Sequence, residues 1–309
     1  MRRVSGLVAH IKKGTLFDRL RGEWRERTQK RRRSWWEAQK AKREYFDTRI
    51  ERGIRIRLHF DSELAQAIYC SVYERTERHF LDSYLRPGDV FVDVGANIGL
   101  FTLIAANLVG GSGRVFAFEP ALMSYNRLQQ NVELNNLDNV QCFQSALSNE
   151  IGEFPFFTSK DGFDAWNSFA QPTAGKSFAR EFIQSITWDQ FAHLNHLVGK
   201  VTMMKIDVEG WETRVLEGGN EIFSRKDAPV LQVEFTDAAA LSARSSCEKL
   251  YKDLKKLGYK IFTYDILNKM LVQQTLQESY EYTNLYAFKE QQLMSERNKK
   301  IKFELLEDA

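Results

Sequence analysis

Residues 89–99 read Asp-Val-Phe-Val-Asp-Val-Gly-Ala-Asn-Ile-Gly. Pro87-Gly88 bounds a short apolar run, and Gly95 and Gly99 follow it. Such a run reads as a buried strand that turns directly into a helix. The helix, from Asn97 to about Val109, is rich in Ile, Leu, Phe and Ala and closes at Gly110-Gly111. Downstream the rhythm repeats. Arg114–Phe118 reads as a strand, 121–135 as a helix with Leu122, Tyr125, Leu128 and Val132 on one face, and Val140–Phe143 as a third strand. Alternating strands and helices with short connections call for a doubly wound, mostly parallel α/β sheet. Val201–Ile206 and Val230–Phe235 read as further strands, 239–257 as an amphipathic helix, and Lys260–Tyr264 and Leu285–Phe288 as the last strands. Residues 150–183 break the rhythm and read as a loop-rich insertion, a candidate lid. Thr187 is a candidate N-cap of a short helix.

At the first strand–helix turn, glycines let a ligand approach the backbone. Ala96-Asn97 replaces the middle glycine of the dinucleotide pattern, and Asp93 at the strand end would repel a pyrophosphate, which needs bare N–H groups and positive dipole. A carboxylate there suits a cationic ligand, so S-adenosyl-L-methionine fits better than a nicotinamide dinucleotide. Glu119 ends the second strand, where an acidic side chain can accept hydrogen bonds from ribose hydroxyls.

Three segments together resemble a known family. Asp93-Val-Gly-Ala-Asn-Ile-Gly-Leu-Phe-Thr, Phe118-Glu-Pro and Lys205-Ile-Asp-Val-Glu-Gly-Trp-Glu are similar to motifs of the FkbM family of S-adenosylmethionine-dependent methyltransferases. Tyr73-Glu74, Asn167-Ser168, Thr187-Trp-Asp-Gln-Phe and Val233-Glu234 fall in that family's order, so the resemblance spans roughly 70–265. It implies a class I methyltransferase fold: a Rossmann-like, doubly wound seven-stranded sheet, mostly parallel with the last strand antiparallel. It also implies methyl transfer, usually to a hydroxyl, with sugars and polyketide-like small molecules among the acceptors. By position, Asp93, Gly95, Ala96, Asn97 and Gly99 would line the methionine end of the cofactor, Glu119 would hold the ribose, and Ser145 and Ala146 would sit near the adenine. Glu74 would contact the methionine amine or order the entrance.

On the acceptor side, alternate residues of a strand share a face, so Lys205, Asp207 and Glu209 could point together across the crevice. Asp207 is the first candidate for a proton-accepting base and Glu209 the second; Glu234 ends the next strand and could shape the acceptor pocket. Several carboxylates could also hold a divalent ion that lowers an acceptor hydroxyl's pKa; no histidine-rich spacing supports that, so a metal is the minor option and no metal ligand is assigned. The chain has no Pro-Pro pair, so it lacks the Asn/Asp-Pro-Pro-Tyr tetrapeptide familiar in enzymes that methylate exocyclic amino groups. RNA methylation and a non-catalytic adaptor role remain the alternatives to a small-molecule or glycan acceptor, with nucleic acid the less expected partner.

The 309 residues carry a formal charge of +3, from 44 Lys plus Arg against 41 Asp plus Glu. Residues 1–57 hold 19 basic and 7 acidic side chains, and the remainder 25 and 34. The division suggests a basic helical extension over 1–57, a methyltransferase domain over 58–290 and a polar, frayed tail over 291–309. The extension carries Lys30-Arg31-Arg32-Arg33 and Trp24, Trp35 and Trp36. These could dock on the body, on a second subunit or on an anionic membrane. No run reaches the ~18 apolar residues of a spanning helix, and no secretory signal is read at the start. Cys70, Cys142 and Cys247 show no paired spacing. A cytoplasmic protein with reduced cysteines is the expectation, with peripheral attachment at the inner membrane face as a variant of it.

Overall fold

The computed structural model describes residues 16–71, 73–159, 178–295, 297 and 301–306. Helix α1 (Leu16–Lys40) leads into strands β1 (Tyr45–Arg49) and β2 (Arg55–His59), which form an antiparallel hairpin. Helices α2 (Glu63–Tyr69) and α3 (Arg75–Tyr84) precede the first central strand, β3 (Val90–Val94). Then come α4 (Leu100–Val109), β4 (Arg114–Phe118), α5 (Leu122–Leu134) and β5 (Val140–Phe143). A side sheet of β6 (Ala146–Leu147), β7 (Gly152–Ser159) and β8 (Phe178–Ile186) follows. After α6 (Trp188–Leu194) come β9 (Met203–Ile206), α7 (Glu212–Gly218), α8 (Asn220–Ser224), β10 (Val230–Phe235), α9 (Asp237–Ser242) and α10 (Cys247–Lys256). The chain closes with β11 (Lys260–Asp265), β12 (Met270–Gln273), β13 (Thr283–Phe288), α11 (Glu290–Leu293) and β14 (Lys302–Glu304).

The central sheet runs β14-β12-β11-β13-β10-β9-β3-β4-β5. Strands β5, β4, β3, β9 and β10 are mutually parallel, and β13 runs antiparallel between β10 and β11. These seven strands are the expected ones, with the last in sequence antiparallel. Strands β12 and β14 widen the sheet by two at one edge. Strand β3 is buried along its whole length, as a parallel strand covered on both faces must be. One face packs Phe91 and Met203 against Phe80, Phe101 and Leu103; the other packs Val92, Val94 and Met204 against Phe116, Trp188 and Val215. Thr187 does cap α6, its side chain accepting from the Gln190 N–H at 3.2 Å. Cys70, Cys142 and Cys247 are all free thiols. Among the described residues, no helix is long and apolar enough to cross a membrane.

Three expectations need correction. The extension is helical to Lys40, and residues 45–57 then belong to the hairpin, so a boundary at 57 falls inside β2. Alternation decides this: Ile54, Ile56 and Leu58 are buried in the main core, a period of two that a helix cannot present to one face. Trp35 and Trp36 dock on the body, one of the expected placements. Trp36 is 1% exposed and packs on Phe60 at 4.6 Å between ring centroids, and Trp35 meets Phe46 at 4.9 Å and Tyr69 at 5.1 Å. Trp24 lies outside the residues whose side chains are described. Arg32, from the basic cluster, is used locally: its guanidinium donates to Tyr69 O (2.8 Å) and Ser71 Oγ (2.6 Å).

The second correction concerns 150–183. Strands β7 and β8 pair antiparallel along eight residues each, from Gly152 opposite Ser185 to Ser159 opposite Phe178. The flanks of the expected loop are therefore a long hairpin; residues 160–177, including Asn167 and Ser168, lie outside the described residues. Third, the tail is tied down. Strand β14 pairs parallel with β12, Ile301 is buried, and Arg297 donates from Nη2 to Asp89 Oδ1 at 2.8 Å.

One joint matters for the site. Asn131 and Asn135 stand four residues apart on α5 and at its end. The Asn131 amide accepts the Arg57 N–H (2.7 Å) and donates to Ile98 O (2.9 Å); the Asn135 amide accepts the Arg55 N–H (2.9 Å) and donates to Arg55 O (2.7 Å). Two side-chain amides thus supply the hydrogen bonds that a neighbouring strand would otherwise give β2.

Candidate active site

A cavity of about 810 Å³, counted out to its open mouth, lies at the C-terminal ends of β3, β4 and β9. This is the crevice where open α/β sheets hold ligands. Gly95, Ala96, Asn97, Glu119, Ser145, Ala146, Lys205, Asp207 and Glu209 all line it, as the sequence reading expected. Leu64, Tyr73, Phe101 and Phe156 complete much of its apolar wall.

The β3–α4 loop is fixed by close packing. Gly95 has φ +82°, and a Cβ placed there would sit 1.9 Å from Asp207 O. The loop therefore presses backbone to backbone on the end of β9, a fit only glycine allows. Its N–H groups are largely used up. Those of Gly95 and Ala96 donate to Phe118 O (3.0 and 2.9 Å), that of Asn97 to Glu119 Oε2 (2.8 Å), and that of Gly99 to Ala96 O (2.9 Å). A pyrophosphate would need those donors. A sulfonium and an ammonium need acceptors instead, so the wall fits a cationic nucleoside ligand.

Glu119 does two jobs. Its Oε2 fixes the loop through Asn97 and its Oε1 accepts the Ala121 N–H at 2.9 Å. A carboxylate oxygen can accept more than one hydrogen bond, so the same side chain can also receive ribose hydroxyls. Asp93 departs from its expected place. It is fully buried behind the loop, where Oδ2 accepts from Thr102 Oγ1 at 2.6 Å and ties α4 to β3. Gly99 likewise stays off the cavity wall, starting α4 at φ +93° against Leu128. Glu74 stands behind the wall too, its Oε1 accepting the Tyr282 hydroxyl at 2.6 Å.

Across the cavity, β9 ends in the charged group. Lys205 Nζ donates to Asp207 Oδ2 at 2.6 Å and lies 4.8 Å from the centre of the Phe101 ring. Burial alone would lower the Lys205 ammonium; Asp207, Glu74 and Asp93 outweigh it and keep it charged. Burial also opposes ionisation of Asp207, but Lys205 overrides it and holds the carboxyl below its usual range. The other acids go the opposite way. Burial, reinforced by Asp207, pushes Glu209 and Glu234 well up, and burial pushes Glu74 to about 8. Glu212 rises to about 7 through burial, although its Oε1 accepts the Val208 and Gly210 N–H groups at 3.1 and 3.2 Å. One lysine surrounded by many carboxyl groups marks a site built for positive ligands.

The sequence reading missed Leu64, Phe101, Phe156 and Tyr282. Phe156 sat in a stretch read as loop, where the alternation of Phe154, Phe156 and Thr158 was the available signal. Tyr282 comes from a turn before β13 and carries no local pattern.

The Methyltransferase FkbM domain matches residues 93–261, which takes in the glycine loop, Glu119 and the Lys205–Glu209 group. The chain belongs to the FkbM methyltransferase family. An FkbM methyltransferase takes S-adenosylmethionine as its cofactor, and the loop geometry above fits it. Among curated relatives, Methyltransferase sdnD of Sordaria araneosa is 28% identical over 184 residues, covering 51% of this chain and 70% of its own. The 31-O-demethyl-FK506 methyltransferase FkbM of Streptomyces tacrolimicus is 38% identical over 96 residues, 30% of this chain and 35% of its own. The crystal structure of methyltransferase FkbM from Methylobacillus flagellatus aligns over 72% of this chain and 54% of its own, at 16% identity and a TM-score of 0.39.

Proposed function

We propose that this FkbM methyltransferase methylates a hydroxyl group of a sugar, a glycan or another small molecule. The observation that carries the reading is the Lys205–Asp207 ion pair beside Glu209 on the cavity wall facing the cofactor loop. The family relative named for a 31-O-demethyl acceptor is in keeping with it.

The cofactor supplies an electrophilic methyl group on a positively charged sulfur. The protein's task is to deliver an oxygen nucleophile and take away its proton. Asp207, ionised and fixed by Lys205, accepts the hydrogen bond of the acceptor hydroxyl, aligns its oxygen and receives its proton as the new bond forms. Glu209, kept protonated by burial, stands beside Asp207 on the same wall. Alignment of this kind is worth roughly several kcal/mol, and a placed base adds roughly 10²–10⁴-fold. Phe101, Leu64 and Phe156 give the cavity apolar walls, and an acceptor that displaces water there strengthens each charge interaction in it.

Methyl-labelled S-adenosylmethionine, offered with a panel of sugars, glycans and polyketide-like alcohols, tests this. The label should appear on an oxygen of one class, and Asp207→Asn should lower turnover on the order of 10²-fold or more with cofactor affinity little changed. Label on RNA nitrogen alone, or undiminished turnover in Asp207→Asn, would overturn the proposal.

A further inference from the structure

The ends of β9 and β10 bring together carboxyl groups that lie far apart in the chain. One oxygen from each of Asp207, Glu209 and Glu234 lies within 4.8 Å of the other two. Two ligands on one ion can be separated by at most twice the metal–oxygen distance. That limit is about 4.6–5.2 Å for a calcium-sized ion and about 4.0–4.2 Å for magnesium. Three oxygens at the 4.8 Å mutual limit lie about 2.8 Å from a common centre, so an inward movement of a few tenths of an ångström brings them to the roughly 2.3–2.6 Å of a calcium-sized ion, and a larger one to magnesium.

A second observation points to a ligand at this place. Glu74 comes from the turn before α3, outside the trio. It is 7% exposed, its Oε2 is buried with no hydrogen-bond partner, and its carboxyl interacts electrostatically with Asp207 and Glu209. Glu234, 3% exposed, accepts from Thr236 Oγ1 at 2.8 Å through Oε1 and shares a hydrogen bond with Asp207. Buried carboxylate oxygens without donors are costly. Lys205 is already committed to Asp207 Oδ2, so one ammonium faces four carboxyl groups.

We propose that Asp207, Glu209 and Glu234 bind a divalent cation, with Glu74 as the carboxylate behind them. Hard cations take oxygen ligands, so Mg²⁺, Mn²⁺ or Ca²⁺ is the class that fits. No histidine is required for such a site. Each carboxylate contributes one oxygen to the ion, and the acceptor hydroxyl still carries its proton when it arrives. An ion-bound hydroxyl gives up that proton more readily and is held in place for attack. That consequence rests on the hydroxyl-acceptor reading; binding of the ion does not.

The test is therefore binding, with no methyl acceptor present. The full-length protein, stripped with a chelator, is titrated with MnCl₂ and followed by electron paramagnetic resonance of free Mn²⁺. One site should appear, Mg²⁺ or Ca²⁺ should compete for it, and Mn²⁺ should raise the melting temperature by mass action. Glu234→Gln and the half-buried Glu209→Gln should each weaken Mn²⁺ binding by about tenfold or more; the second guards against a folding defect in the first. No binding by the unaltered protein up to roughly 10 mM, beyond the weakest calcium modules, would overturn the proposal. So would binding that both variants retain unchanged.

Discussion

Replacing Gly95 by alanine probes the contact on which the cofactor loop depends. The added methyl would lie 1.9 Å from Asp207 O, against an ordinary contact of 3.4 Å or more. The end of β9 must then retreat by about 1.5 Å, because the obstacle is backbone and cannot rotate away. Holding a non-glycine residue at φ +82° adds roughly 1–2 kcal/mol. The Asp207 N–H bond to Val94 O, 3.1 Å long, spans the same junction, and straining it costs about 1 kcal/mol more. Together these amount to about 2–3 kcal/mol, or a fall in Tm of about 4–12 °C for a domain of this size class. The same displacement separates the loop from Asp207, and a misplacement of about 1 Å can cost ~10²-fold in turnover. Differential scanning calorimetry and isothermal titration with S-adenosylmethionine measure both parts. A Gly95→Ala variant with unaltered Tm and unaltered cofactor affinity would refute the reasoning that this contact shapes the site.

Other changes have equally definite outcomes. Glu119→Ala removes the acceptor for two backbone N–H groups, those of Asn97 and Ala121, and should weaken cofactor binding about tenfold or more, since each lost charged hydrogen bond is worth about 1.5–3 kcal/mol; equal affinity by titration would contradict it. Trp36→Ala should cost about 3–5 kcal/mol of unfolding free energy, read by urea denaturation. A docking role for α1 on another molecule alone predicts almost no loss. Stability should fall as pH rises from about 4.5 to 8. Glu74 and Glu212, raised to about 8 and about 7, hold protons in the folded state that the unfolded chain releases near its ordinary value of about 4.5. Their contribution is fully present below that range and lost through it. Glu74→Gln should flatten the slope in urea titrations run across the range, and an unchanged slope would remove Glu74 from the account.

How far the site could be read from the chain depended on which atoms do the work. Gly95 and Glu119 act at ends of strands that the apolar runs locate, so their places were legible. Asp93 was located correctly and its direction was not, because only packing decides that it turns toward Thr102 on α4. The hairpin β1–β2 was hidden by its composition. Its charged residues alternate with Ile54, Ile56 and Leu58 inside a segment whose arginines and glutamates favour helix, and burial against the core outweighed that preference. Strand β14 has three residues and no periodicity to detect; pairing with β12 makes it a strand. The Asp207, Glu209 and Glu234 oxygens meet through the β9–β10 register, a long-range relation that no local pattern reports.

The two asparagines of α5 have a consequence for cutting the molecule into parts. The family match begins at residue 93, which invites a shortened protein that keeps the match and discards what precedes it. Asn131 holds Arg57 N–H with one atom and Ile98 O with another, so the hairpin and the cofactor loop share a single side chain as common anchor. Removing residues 1–57 would leave that amide with a buried, unanswered acceptor directly beneath the loop. The smallest inheritable unit that keeps the catalytic crevice intact therefore begins ahead of β1. A fusion or swap that respects this seam should travel with its activity, and one made at the family boundary should not.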